Sequence, residues 1–350
     1  VTGLEFTHDQ LPGRVVFGPG RRSQIPEELD ALGASRVLII GGSHDTATID
    51  DLIEQIHLPV ETIIGVRPHV PAEVVSDALD TVDRFKPDAV VSIGGGSSTG
   101  LAKMVARERD VRLLAIPTTY AGSEMTPIWG TSENGEKRTG RSLRVLPATV
   151  IYDPELTLGL PRSVTINSAF NALAHCVEAM WLPHTSPIAV EASIAAIDAI
   201  VDSVQVVADQ LQDLDARSRL LYGAHRAGTV LAATGTGLLH KTAHVLGGMF
   251  NLDHGAMYAV LTPPMVDHHL STIPSIAQRF HHALGPEPTN SLHALAARLD
   301  APSSLHQIGF PVDRLGQAIE AIAQHAKVDV TEIEPVLTAA LEARTEKDPP

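Results

Sequence analysis

The chain has 350 residues, 44% of them hydrophobic but only 4% aromatic, enough apolar material for two sizeable cores resting on Ala, Val, Leu and Ile. Its 41 acidic residues against 26 Lys and Arg leave a formal charge of −15, which argues against nucleic acid or an anionic membrane as a partner. A single cysteine, Cys176, rules out an internal disulfide framework.

In chain order, the first half alternates β-rich runs with helical spacing. RVVFG (14–18), RVLIIGG (36–42), VETIIG (60–65), DAVVSIGGG (88–96), VRLLAIP (111–117) and ATVIYD (148–153) read as strands, several of them nearly continuous in Val, Ile and Leu. PEELDAL, TIDDLIEQI, PAEVVSDALDTVDRF and LAKMVARE between them carry helical periodicity. Such alternation predicts an open α/β sheet with right-handed crossovers. After DPELTLGLPRSVT (153–165) the chain becomes Ala-rich and helical, with breaks expected near Pro263–Pro264, Pro286–Pro288, Pro302 and Pro311. The expected division is therefore residues 1–160, a Rossmann-like α/β domain, and residues 161–350, an all-α domain. No apolar run approaches the roughly 20 residues of a membrane span. VTGLEFTHDQ has no charged n-region ahead of an apolar stretch, so a cytoplasmic location is expected.

Two glycine-containing loops follow predicted strands. SIGGGSSTGLAK (92–103) joins a strand to a helix, where close backbone N–H groups and the helix N-terminus suit a pyrophosphate; IPTTYAGSEMTP (116–127) ends the next strand. In a parallel sheet both lie on the ligand-binding edge. Gly94, Gly95, Gly96, Ser97 and Ser98 of the first loop and Thr118, Thr119 and Tyr120 of the second are candidate cofactor contacts. VLIIGGSHD puts Gly41 and Gly42 where Rossmann-type sites carry an acid for the ribose 2′-hydroxyl; without that acid nothing obvious repels a 2′-phosphate, so NADH and NADPH are both expected.

In the second half, INSAFNALAHCVEAMW (166–181) sets Asn171 and His175 four apart on one helical face. GLLHKTAHVLGGMFNLDHG (237–255) adds the pair His240 and His244, and then His254. One buried histidine is ordinarily a satisfied core residue, but two such pairs with a following DHG point to a catalytic cluster.

The run of GGGS, PTT, a helical xALAH and GLxHxxAHxxG followed by HG resembles the iron-containing alcohol dehydrogenase family, in order and along essentially the whole chain. The resemblance implies a dehydroquinate synthase-like architecture with a nucleotide-binding α/β domain followed by a helical one, and a homodimer. In that family an Asp and a His on one helix and two further His hold a divalent metal. The matching positions are Asn171, His175, His240 and His254, with His244 beside the nicotinamide. The resemblance also supports Gly95, Gly96, Ser97, Thr118, Thr119 and Lys137 for the cofactor. GGGSSTGLAK, PTTYAGSEMTPIWG, GRSLRVLP and FNALAHCVEA are similar to the maleylacetate reductases of the family, which implies NADH- or NADPH-dependent reduction of the carbon–carbon double bond of maleylacetate to 3-oxoadipate in aromatic compound degradation.

Asn171 supplies a neutral carbonyl where a carboxylate is the rule, and the conjugated alkene of such a substrate accepts hydride while charge spreads onto an enolate. The expectation is accordingly that no divalent metal is required. Lys241, between two site histidines, is expected to pair with a substrate carboxylate or stabilise the enolate; Asn171 and Arg144 are further substrate-binding candidates. The catalytic candidates are His175, His240, Lys241, His244 and His254. The competing readings are a metal-dependent alcohol dehydrogenase or aldehyde reductase on the same scaffold and a non-catalytic nucleotide-binding sensor.

Overall fold

The computed structural model describes residues 5–67, 70–133 and 136–341. The chain forms two compact units: Gln10–Leu160 is one, and the other runs from Pro161 onward and takes in the segment ahead of Gln10.

The first unit contains β1 (Arg14–Phe17), α1 (Ile25–Ala31), β2 (Val37–Gly41), α2 (Thr46–Gln55), β3 (Val60–Ile64), α3 (Ala72–Phe85), β4 (Ala89–Gly94), α4 (Gly96–Glu108) and β5 (Arg112–Pro117). A hairpin of β6 (Ile128–Glu133) and β7 (Glu136–Arg141) follows, and then β8 (Thr149–Tyr152). Six strands form one parallel sheet in the order β1-β8-β5-β4-β2-β3. Both faces are covered, which is why the strands are apolar at consecutive positions. Val37 and Ile39 pack with Ile25, Leu29, Ile49 and Leu52 of α1 and α2, while Leu38 and Ile40 pack with residues of α3 and α4 on the other face. The chain leaves β2 for β3 on one side and returns to β4 on the other. The carboxyl ends of β2 and β4 therefore flank a topological switch point, the usual ligand crevice of an open α/β sheet.

The hairpin is absent from the sequence expectation because IWGTSE and EKRTGR are too polar to read as strands. It is anchored by Trp129, over which the Arg107 guanidinium lies 3.8 Å from the ring centroid. Trp129 also explains Gly140, where an added Cβ would come within 2.4 Å of the indole.

Beneath the loop after β5 sits a buried cation. Lys103 of α4 is 1% exposed, and its Nζ donates to the carbonyls of Ser123 (2.6 Å), Thr126 (2.7 Å) and Ile128 (2.9 Å) and lies 3.0 Å from Thr126 Oγ1. Burial lowers this ammonium to about 7, against the raising influence of the buried Glu124 carboxylate, whose Oε1 accepts from Tyr152 Oη at 2.6 Å. Lys103→Met strands several buried carbonyls at once and is expected to lower the unfolding free energy by about 3 kcal/mol. Urea unfolding measures it; a loss under about 1 kcal/mol would mean the carbonyls find other partners.

The second unit comprises α5 (Arg162–Ala179), α6 (Pro187–Asp209), α7 (Leu214–Thr234), α8 (Leu238–Phe250), α9 (His254–Thr272), α10 (Ala277–Leu284), α11 (Pro288–Arg298), α12 (Leu315–Ala326) and α13 (Val330–Leu341). His8 belongs to this unit, its Nδ1 lying 2.8 Å from Ser186 Oγ. Helix α5 packs against α6, α7 and α9, and α9 also meets α8, α11 and α13. The expected break at Pro263–Pro264 does not occur: both prolines lie inside α9. Each removes an N–H, but every residue from Ala256 to Val266 is buried, and packing on all sides holds the helix through the defect. Thr262 Oγ1 donates to the Tyr258 carbonyl at 2.6 Å, just ahead of the Ala259 and Val260 carbonyls that lose their i+4 donors. No helix among the described residues is long and apolar enough to cross a membrane.

Candidate active site

In the first unit, three loops meet at the carboxyl ends of β2, β4 and β5. Gly94 has φ +131°, a region that disfavours a side chain, and a Cβ there would lie 2.6 Å from Ser98 Oγ and 2.9 Å from Asp45 Oδ2. Gly95 is the N-cap of α4 without a side-chain cap, and a Cβ on it would come within 3.1 Å of Thr119. Thr118 N donates to the Gly94 carbonyl at 3.0 Å. Gly94–Ser98 and Thr118–Tyr120 are thus neighbours on one sheet edge, with Ser98, Thr118 and Tyr120 buried and Ser97 and Thr119 half-buried. The first-turn N–H groups of α4 have no intrahelical partner and suit an anion.

Asp45 was not singled out in the sequence. The stretch Gly42–Asp45 curls back so that Asp45 Oδ2 lies 2.8 Å from where a Gly42 Cβ would be. Burial raises this carboxyl above its ordinary value, opposed by hydrogen bonds involving the Gly42 backbone and the Thr118 side chain. The expectation of a carboxylate-free turn after β2 is therefore corrected: the acid comes three residues later and folds back to the glycines. Lys137 lies on β7, but its side chain is outside the described residues. Arg144 is exposed and donates to the Arg109 carbonyl, in the loop that leads into β5. That is the amino end of the sheet, opposite Gly94–Ser98.

In the second unit, α5 carries Asn171, His175 and Glu178 at intervals of four and three, along one face. Glu178, 1% exposed, organises the start of α8: its Oε2 accepts from Gly237 N at 2.7 Å and its Oε1 from Leu239 N at 2.7 Å and His240 N at 3.3 Å. His240 Nδ1 lies 2.7 Å from Oε2. Burial alone would raise the Glu178 carboxyl; interaction with His240 and the N–H donors carry it below its ordinary value instead. Gly237 is required here because a Cβ would meet Leu182 at 2.8 Å and Glu178 Oε1 at 3.1 Å.

The His240 ring stacks on His175 with centroids 4.5 Å apart and planes 10° apart, and meets Tyr258 at 4.8 Å. His244 and His254 form a second pair at 5.8 Å. His254 opens α9, where Asp253 Oδ1 accepts from Ala256 N at 2.7 Å and from Asn167 Nδ2 at 2.9 Å. Two glycines fix this position: a Cβ on Gly247 would meet the His254 ring at 2.6 Å, and one on Gly255 would meet Asn167 at 2.5 Å. Asn171, His244 and His254 are half-buried and His175 and His240 buried. Lys241, half-buried and three residues before His244, has no ion pair or side-chain hydrogen bond among the described residues. The fold thus gathers the histidine candidates into two adjoining ring pairs on α5, α8 and α9. Sequence reasoning missed Glu178, whose only signal was an acid three residues after His175 among the apolar neighbours Cys176, Val177 and Ala179.

Family models match both halves of the chain: "Iron-containing alcohol dehydrogenase" over residues 12–154 and "Fe-containing alcohol dehydrogenase family, C-terminal" over 165–338. The chain belongs to the iron-containing alcohol dehydrogenase family. It is 40% identical over 321 residues, 91% of each chain, to a maleylacetate reductase of Pseudomonas sp. (strain P51). Among solved structures it is similar to the maleylacetate reductase of Agrobacterium tumefaciens, with a TM-score of 0.93 and 36% identity over 97% of this chain and 99% of that one. An iron-containing alcohol dehydrogenase of Corynebacterium glutamicum gives a TM-score of 0.93 at 33% identity, covering 98% of this chain and 99% of that one.

Membership of a family defined by iron overturns the expectation that no divalent metal is required. The amide of Asn171 still offers an oxygen donor, and the Glu178 carboxylate behind His240 brings negative charge that the amide lacks. The donor set fits such an ion: imidazoles and an oxygen suit a borderline divalent cation, and the buried Nε2 of His240 has no hydrogen-bond partner among the described residues. The same residues include no three His, Cys, Asp or Glu side chains already grouped to enclose an ion, the first two rings being stacked instead.

Proposed function

We propose that this chain reduces the carbon–carbon double bond of maleylacetate with NADH or NADPH, giving 3-oxoadipate in the degradation of aromatic compounds. The observation that carries the reading is the match to a maleylacetate reductase at 40% identity across 91% of both chains. The N–H groups of Gly95–Ser98 would bind the pyrophosphate, with Thr118–Tyr120 beside them. Asn171, His175, His240 and His254 would hold the divalent cation of the family, which would supply Lewis acidity toward a substrate oxygen. Lys241 pairs with a carboxylate of the substrate and offsets the negative field of the protein. His244 would deliver a proton to one alkene carbon as hydride from the reduced nicotinamide reaches the other. The protein works as a homodimer.

The test is NADH oxidation followed at 340 nm with and without maleylacetate, beside NAD+ reduction with simple alcohols (the wavelength being about the nicotinamide absorption maximum). Turnover that requires maleylacetate and greatly exceeds alcohol oxidation supports the reading; alcohol oxidation as the dominant activity defeats it. Asp45 adds a prediction on cofactor choice. Its carboxylate stands against the glycines of the nucleotide loops, and removing one charge at short range is expected to shift the NADPH:NADH ratio of kcat/KM upward by about tenfold in Asp45→Asn. Steady-state kinetics with both cofactors check this; an unchanged ratio means that the extra phosphate lies out of reach of Asp45.

A further inference from the structure

We infer that Glu178 is a positioning residue that holds His240 with its ring proton on Nδ1, leaving the Nε2 lone pair bare for a divalent cation. The inference rests on the metal-ligand reading of His240 and goes beyond it, naming the group that prepares the ligand.

The argument is one of donor and acceptor counting. Three of the groups at the Glu178 carboxylate are backbone N–H groups, those of Gly237, Leu239 and His240, and they can only donate. They engage both oxygens, so Glu178 is an acceptor on each side. The fourth contact, Oε2 to His240 Nδ1 at 2.7 Å, is favourable only if Nδ1 carries a hydrogen. In a neutral imidazole the proton on Nδ1 leaves Nε2 unprotonated. That Nε2 is buried with no hydrogen-bond partner among the described residues, so an N–H there would be stranded. A lone pair would be stranded too unless a cation takes it, and fixing the remote ring nitrogen with a carboxylate is how proteins commonly orient a histidine ligand. The ring cannot readily turn away, because His175 is stacked on one face and Tyr258 packs against it. The same carboxylate tethers the first turn of α8, so the ring and the backbone that carries it are set by one group.

Glu178→Gln provides the test. If the amide oxygen keeps the N–H groups of Leu239 and His240, its NH₂ faces Nδ1 and donates, which moves the ring proton to Nε2 and blocks ligation. Zn²⁺ is titrated into the metal-free full-length protein against a competing chelator. The expected result is about a 10- to 100-fold loss of Zn²⁺ affinity in Glu178→Gln, with NADH binding, followed by fluorescence, unchanged. A folded variant with wild-type Zn²⁺ affinity overturns the role of Glu178 and leaves the ligand reading standing. A wild-type protein that binds no Zn²⁺ removes the ligand reading and the inference with it. A second measurement needs no folded Glu178 variant. In ¹⁵N-histidine spectra of the metal-free wild type, the His240 resonances, assigned by their loss in His240→Gln, should report the Nδ1–H tautomer. The Nε2–H tautomer or a doubly protonated ring there overturns the proposal.

Discussion

Lys241→Ala is expected to lower kcat/KM for maleylacetate by about 10²- to 10³-fold, roughly 3–4 kcal/mol of lost transition-state binding. Lys241 is half-buried on α8 next to His240 and three residues before His244, with no ion pair or side-chain hydrogen bond among the described residues. A lysine on a solvated face normally does nothing measurable. This one sits among the histidine candidates of a chain carrying a formal charge of −15, where a dianionic substrate needs a local cation. If Lys241 binds a carboxylate that is equally charged throughout the reaction, the loss falls on KM. If it meets charge that develops on an enolate, the loss falls on kcat. Steady-state kinetics separates the two, and a variant with near-wild-type kcat/KM takes Lys241 out of the site.

Stripping divalent metal from the purified enzyme is expected to reduce maleylacetate turnover at least about 100-fold, a scale typical of losing a Lewis acid, with recovery on adding Fe²⁺ or Zn²⁺ back. The ground is family membership together with a donor set of three imidazoles and an amide oxygen. Fe²⁺ and Zn²⁺ both accept imidazole, so either is expected to restore turnover, though to different extents. Full activity in a sample shown by elemental analysis to be metal-free would falsify this expectation. Unfolding should be followed in parallel, because ligand binding stabilises a fold by mass action and a collapsed protein would imitate the loss.

Much of the fold was legible because its signals are local. Val37–Ile40 and Ala89–Val91 are apolar at consecutive positions, as a sheet covered on both faces demands, and they became neighbouring parallel strands. The hairpin was hidden because its stability comes from Trp129 and its Arg107 partner, not from a pattern within the strands. Pro263 and Pro264 misled for the opposite reason: a strong local signal was overridden by burial along α9. At the site, the spacing of Asn171, His175, His240 and His244 was visible in the sequence. Glu178 and Asp45 were not, since each acts through groups distant in sequence: Glu178 on an N-terminus 59 residues later, Asp45 beside Gly94. The amide at position 171 pointed to a metal-free site because the carboxylate behind His240 lies out of view in the linear sequence; family membership overturns that expectation.

The segment before Gln10 packs with the helices, His8 reaching Ser186 across 178 positions of sequence, while the α/β unit occupies the interval between them. During synthesis these residues emerge ahead of the sheet and must therefore wait for partners made much later, whereas the sheet has all its strands once β8 has left the ribosome. Vectorial folding should finish the sheet first and close the helical body last. A nascent chain stalled far enough beyond Leu160 for β8 to clear the ribosome should accordingly yield a protease-resistant fragment that begins near Gln10, with the residues ahead of it clipped away.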